Sequence, residues 1–214
     1  MNVALDALLA SSALWRARGG AEAADPAGRP CLPTGWPKLD AALPGGGWPL
    51  GTLIEFLLPG TGIGELSLLL PALGRLAAGP LAAERRWLAW IAPPHAPYPP
   101  AFAQHGIHAE RLLFVTAGRT QDRLWAIEQA LRSGSCAAVL GWLDAADDRW
   151  LRRLKLAAAT GHALAVLFRP LRRHATASPA SLRLALEPTP AGLDLWLLKS
   201  RGRGPIRVHD ALGS

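Results

Sequence analysis

One glycine-rich stretch of this 214-residue chain has the residue types and spacing to gather around a phosphate. The apolar run Leu50 to Leu58 leads into Pro59, Gly60, Thr61, Gly62, Ile63, Gly64, Glu65, Leu66 and Ser67. A working phosphate loop needs G-x-x-x-x-G-K-S/T: glycines let amides close on the phosphate, lysine neutralises it, and the hydroxyl ligates magnesium. Gly64 fits the second glycine, but Pro59 stands at the first, Glu65 at the lysine and Leu66 at the hydroxyl. A carboxylate about 4 Å from a phosphate oxygen costs roughly 4 kcal/mol at an effective dielectric near 20, where a lysine gains a similar amount. The expectation is a degenerate phosphate loop that joins a strand to a helix and binds no nucleotide cofactor.

Little else gathers reactive groups. His105 and His108 are three apart, but no Asp, Glu or Cys cluster completes a metal site. No G-x-S-x-G nucleophile turn occurs. Asp144, Asp147 and Asp148 open a helix, where carboxylates suit the helix dipole. Cys31 and Cys136 form no disulfide framework, so a reducing, cytoplasmic setting is expected. The chain is expected to be non-enzymatic and without a metal.

The elements that would position the loop follow from hydrophobic periodicity. Leu66, Leu69, Leu70, Leu73 and Leu76 recur at helical spacing, with a kink expected at Pro71 and an end near Gly79 and Pro80. Trp87 to Ala92, Leu112 to Thr116, Cys136 to Leu140 and Ala163 to Phe168 read as further buried strands. Between them, Pro93 to Pro100 is too proline-rich for regular structure. Thr120 can cap a helix bearing Leu124, Ile127 and Leu131, and Ala146 to Thr160 forms another, ended by Gly161. This alternation predicts an α/β fold, a mostly parallel sheet with helices on both faces. Leu182 to Leu186 and Leu193 to Leu197 alternate like a C-terminal antiparallel hairpin.

The expected organisation is an N-terminal helix and linker over 1–33, a core over 34–198 and a basic, mobile tail over 199–214. The N-terminal apolar stretch lacks a basic leader and carries Asp6, so it reads as a helix rather than a signal peptide. No apolar run reaches the roughly 18 residues of a membrane span. Of nine tryptophans, Trp87, Trp90 and Trp142 lie in strands and are expected in the core, while Trp36 and Trp48 flank turns and could face either way.

Charge is uneven. Residues 1–148 hold 11 Lys and Arg against 13 Asp and Glu, and residues 149–214 hold 12 against 3. The C-terminal excess points to an acidic partner, nucleic acid or protein. Arg149, Arg152, Arg153 and Lys155 ride one helix and suit a solvated face. Arg169, Arg172 and Arg173 after a strand, with Lys199, Arg201, Arg203 and Arg207 in the tail, are expected to bind DNA phosphates or a partner.

The order of segments resembles the RecA-type ATPase core. Thr34 to Gly51 looks like the approach to its phosphate loop, Trp90 to His95 like the segment bearing its catalytic glutamate, and Leu131 to Trp142 like the approach to its magnesium-organising aspartate. Within that superfamily the chain is similar to the ImuA family, RecA-like and SulA-like accessory proteins of damage-induced (SOS) mutagenesis. Ala13 to Arg16, Leu43 to Pro49, Gly62 to Leu66, Trp90 to His95, Gln129 to Gly134, Leu167 to Pro170 and Leu197 to Gly202 carry the likeness.

That resemblance implies a pseudo-ATPase. Glu65 replaces the lysine, Leu66 the hydroxyl, Pro94 the catalytic glutamate and, by spacing, Trp142 the aspartate, with Asp144 two residues on as a displaced substitute. It also implies a non-catalytic scaffold for translesion DNA synthesis and repair. The implied partners are an ImuB-like inactive Y-family polymerase relative, RecA, an error-prone replicative-type polymerase reached through ImuB, and single-stranded DNA. Leu14, Trp15 and Arg16 would form a partner helix. Two alternatives stay open: an active DNA-dependent ATPase with a rearranged loop, and a SulA-like inhibitor that binds the tubulin-like division protein.

Overall fold

The computed structural model describes residues 28–78, 86–96, 98–190, 192–200 and 205–213. The helix expected over 3–18 with Leu14, Trp15 and Arg16, the helix end at Gly79 and Pro80, and Arg201 and Arg203 lie outside the described residues.

Seven consecutive buried residues, Thr52–Leu58, form β3, which sits inside an eight-stranded sheet. A strand covered on both faces has no need of polar alternation, which is why its sequence reads as a continuous apolar run. Two short strands precede it: β1 (Cys31–Leu32) pairs antiparallel with β2 (Trp48–Pro49), around helix α1 (Pro37–Ala42). Cys31 and Leu32 therefore belong to the folded body, which corrects their assignment to a flexible linker.

Helix α2 (Leu70–Ala78), β4 (Trp87–Ile91), α3 (Pro99–Ala103), β5 (Leu112–Val115), α4 (Thr120–Arg132), β6 (Cys136–Trp142), α5 (Asp148–Gly161) and β7 (Leu164–Pro170) follow. The chain closes with β8 (Leu182–Thr189), β9 (Gly192–Lys199) and β10 (Ile206–Val208). The strand order is β10-β9-β8-β3-β7-β6-β4-β5. All pairs from β8 across to β5 are parallel, and β9 and β10 add antiparallel edges. The expected mostly parallel α/β sheet and the antiparallel hairpin are both present.

Side chains alternate across the sheet with a period of two. Leu53, Ala89, Val139, Ala165 and Leu167 pack with Leu124, Ile127 and Leu131 of α4 and Leu151, Leu154 and Ala158 of α5. Ile54, Phe56, Trp90, Leu140, Val166 and Phe168 pack on the other face with Leu39 of α1, Leu73 and Leu76 of α2 and Phe102 of α3. Trp48 is fully buried there, its ring 5.5 Å from that of Phe56.

Five local expectations need correction. Pro71 does not kink a helix: residues 65–69 form turns, and α2 starts at Leu70, so the proline sits in the first turn where its missing N–H is no loss. Thr120 does not cap α4; Arg119 holds the N-cap position without a side-chain cap and pairs instead with Asp122. The proline-rich segment ends in a short helix, α3, because prolines at its first positions are tolerated. Trp87 is 40% exposed, whereas Trp90 and Trp142 are buried. The tail is not free beyond Lys199: Ile206–Val208 pairs with Val208 opposite Leu195 of β9. Asp147 does cap α5, accepting from the Trp150 amide at 2.7 Å.

Candidate functional site

The glycine loop leaves the carboxyl end of β3, with Gly62 and Gly64 both at positive φ (78° and 96°). That conformation turns successive amides inward, the geometry of an anion-binding nest. The nest is occupied by the chain itself. One Glu65 carboxylate oxygen accepts from the Gly62 N–H at 2.9 Å and the other from the Ile63 N–H at 2.9 Å, and the residue is only 4% exposed. Because α2 starts at Leu70, no helix N-terminus follows directly on the loop to add its dipole. Leu66 packs against the core, offering no hydroxyl.

Around the loop lie the other positions named from the sequence. Pro94 is exposed and Trp142 buried, its ring stacked at 4.5 Å on Phe168. Asp144 is exposed, and its backbone carbonyl accepts from Arg173 Nε at 3.2 Å. With Pro59, Gly60 and Arg172 these residues line a cavity of about 740 Å³ at the carboxyl ends of the parallel strands. A smaller cavity of about 300 Å³ lies against Gly62, Gly64, Glu65 and Trp90.

The cationic residues are distributed differently from the expectation. Arg169 is not on the surface: its Nη1 donates to Glu55 at 2.6 Å, with side-chain exposures of 1% and 0%. Arg183, which sequence reasoning passed over, donates to the other Glu55 oxygen at 2.8 Å. The three side chains come from adjacent strands β7, β3 and β8, a contact set by sheet order and invisible to sequence spacing. A lone acid and two basic residues inside apolar runs were the only signal for it.

Arg172 is exposed in a short 3₁₀ turn, Leu171–Arg173. Lys199 donates to the Ser178 carbonyl at 2.7 Å. Arg207 lies in β10, paired with Asp194 at 3.0 Å and Glu187 at 3.1 Å and set 4.8 Å over the Trp196 ring. It is thus a sheet-edge residue, not a free tail cation. On α5, Arg152 pairs with Asp148, Arg153 with Glu128 at 2.6 Å, and Lys155 with the Pro179 carbonyl at 2.8 Å. Arg149, Arg152 and Arg153 are exposed, in keeping with the solvated face expected of them, and Lys155 is half-buried.

A surface the sequence did not single out is the sheet edge. The strand order ends at β5, so among the described residues one side of its backbone has no strand partner, and Leu113 and Phe114 are 37% and 41% exposed. Such an edge is a template for another chain. The run Leu112 to Val115 is as apolar as an interior strand, so sequence alone gave no sign of its position.

A family model described as "Cell division inhibitor SulA" matches residues 62–165. The cell division inhibitor SulA of Edwardsiella piscicida is 34% identical over 105 residues, covering 49% of this chain and 60% of that protein. The SulA of Yersinia pestis (strain Pestoides F) is 30% identical over 121 residues, covering 56% of this chain and 69% of that protein. A crystal structure of SulA from Pseudomonas aeruginosa aligns at 29% identity and a TM-score of 0.44, covering 55% of this chain and 97% of that one.

These matches overturn the assignment to ImuA, and with it the translesion-synthesis scaffold and its partners ImuB, RecA, a replicative-type polymerase and DNA. The matched span contains Gly62 to Leu66, Trp90 to His95 and Gln129 to Gly134. Three of the seven segments that carried the ImuA likeness thus lie within the SulA match and do not separate the two. The chain spans 60% of the Edwardsiella protein and, at 30% identity, 69% of the Yersinia protein. On that coverage it belongs to the SulA family.

Proposed function

We propose that this chain inhibits cell division by binding, without catalysis, and that its target is the tubulin-like division protein in the cytoplasm. The description shared by its relatives, cell division inhibitor, supports the first part. The observation that carries the second is the uncovered edge of β5, where Leu113 and Phe114 present apolar surface beside unpaired backbone. Among the described residues no strand lies outside it. No helix among them is long and apolar enough to cross a membrane.

Absence of catalysis has its own support. We read the sheet as RecA-like and the glycine loop as a degenerate phosphate loop. Glu65 already fills the amides that a phosphate would need, and Trp142 is buried where a magnesium-organising carboxylate would stand. A loop closed on its own carboxylate stabilises the fold and leaves the surface to act.

The test uses the full chain and purified tubulin-like division protein, with polymer followed by sedimentation. Polymer should fall as the chain approaches equimolar, with no ATP added, and Leu113→Lys should lose the effect while keeping its thermal midpoint. Unchanged polymer at an excess of the chain rejects the reading. Loss of inhibition only when ATP is withheld rejects its non-enzymatic part.

A further inference from the structure

The cavity of about 740 Å³ lies at the carboxyl ends of β3, β4, β6 and β7, within the range of roughly 300–1,000 Å³ usual for small-molecule sites. Ligands of open parallel sheets sit at this end. Division inhibition through the sheet edge makes no use of it.

Its charge is unbalanced. Glu55 is shared between Arg169 and Arg183, so one carboxylate answers two guanidinium groups, all nearly solvent-free. Their remaining contacts are neutral carbonyls: Arg169 to Ala146 at 3.3 Å, and Arg183 to His174 at 3.3 Å and Arg173 at 2.9 Å. Carbonyl acceptors solvate a cation but do not cancel its charge. Arg169 Nε is buried with no hydrogen-bond partner, and Arg169 forms part of the cavity wall. Buried charge normally has an opposite partner. Here the cluster keeps one net positive charge among the described residues.

The rest of the wall adds to the excess. Arg123 lines the cavity, steadied by its Nε on the Ala117 carbonyl at 2.9 Å, and exposed Arg172 lines it as well. Asp144 is the single carboxylate on the wall. Trp142 and Phe168, stacked on each other, supply an aromatic part of the lining. We propose that this cavity binds a small organic anion, its carboxylate or phosphate group held by the arginines and its apolar body against the aromatic pair.

The experiment titrates the full chain at low salt, by calorimetry, with phenyl phosphate, benzoate, inorganic phosphate and benzyl alcohol. One or both aromatic anions should bind, and which is tighter tells phosphate from carboxylate. Inorganic phosphate should bind more weakly and neutral benzyl alcohol not detectably. Arg172→Ala and Arg123→Ala should each weaken binding by about tenfold, as expected for loss of a charge-assisted contact. Asp144→Asn should tighten it severalfold by removing the one opposing charge. Arg169 is left intact because its loss would remove one of the two buried partners of Glu55 and disturb the fold as well as the cavity. Absence of heat with every anion up to about 10 mM overturns the proposal. So does binding that Arg123→Ala, Arg172→Ala and Asp144→Asn all leave unchanged, which would mark adventitious surface association. Binding of inorganic phosphate as tight as phenyl phosphate refutes the apolar subsite.

Discussion

The Glu65 carboxylate accepts the Gly62 amide at 2.9 Å, three residues back in its own loop, and the neighbouring Ile63 amide with its second oxygen. The side chain that breaks the phosphate-loop pattern is thus the one that satisfies the loop. Charge-assisted hydrogen bonds of this kind contribute about 1.5–3 kcal/mol. Glu65→Ala should lower unfolding free energy by about that amount in urea, and Glu65→Gln, which keeps one acceptor, by less. Equal stability of all three proteins would mean the bonds contribute nothing. Glu65→Lys should not create nucleotide binding, because Leu66 still supplies no hydroxyl for magnesium.

Buried Glu55 offers a sharper test of packing against charge. Removing one partner of a buried ion pair costs about 3–5 kcal/mol, because the remaining charge is stranded. Glu55→Leu should therefore destabilise severely, leaving Arg169 and Arg183 unanswered. The triple change Glu55→Leu, Arg169→Met, Arg183→Leu should recover much of that loss, since three apolar groups of similar volume need no partners. A triple variant no more stable than Glu55→Leu would show that the carbonyl contacts of the arginines to Ala146, His174 and Arg173 dominate instead.

What could be read from the sequence was what depends on neighbours along the chain. The apolar run Leu50 to Leu58 announced a doubly covered strand, and the alternation in Leu182 to Leu186 and Leu193 to Leu197 announced the hairpin, because these patterns report local burial. Sheet order escaped, since Glu55 meets residues 114 and 128 positions away. The outer position of β5 and the pairing of Ile206–Val208 escaped for the same reason. The glycine loop was found from its spacing, yet its self-filling was not, because whether a carboxylate repels an absent phosphate or replaces it depends on where the side chain turns. The ImuA reading rested on seven short segments, three of which lie within the SulA match and so fit either family.

The end of α5 shows why the residue in the left-handed conformation is His162, at φ 49°, and not the glycine before it. Gly161 is needed elsewhere: a Cβ there would collide with the Leu131 carbonyl oxygen where α5 meets the end of α4. Its own carbonyl accepts from Arg86 at 2.5 Å. Gly161→Ala should therefore destabilise by several kcal/mol or rearrange the helix pair, as overpacking in a tight core does at about 1–3 kcal/mol even against side chains. His162→Gly should be neutral or stabilising by up to about 1 kcal/mol, because glycine enters the left-handed region without steric cost. Thermal midpoints of the two variants moving in the same direction would contradict this division of roles.

Asp194 fastens the C-terminal segment to the sheet and should make that attachment acid-sensitive. Its Oδ1 accepts the Asp210 amide at 2.8 Å, and its Oδ2 faces His209 Nδ1 at 2.9 Å and Arg207 at 3.0 Å. The Asp210 amide bond is the largest influence that holds its carboxyl below the ordinary aspartate value of 3.8, and the contacts with His209 and Arg207 act in the same direction. A carboxyl whose folded value is lowered stabilises the fold fully above its unfolded value, and that contribution disappears as pH falls through the folded value. Wild type should then exceed Asp194→Asn in stability at about pH 5, with the gap closing as pH drops below about 4. Amide exchange of Arg207 and Val208 reads the same change locally, because β10 is held by β9 and by this carboxylate. A gap that stays constant down through that window would assign the attachment to the β9–β10 backbone pairing alone.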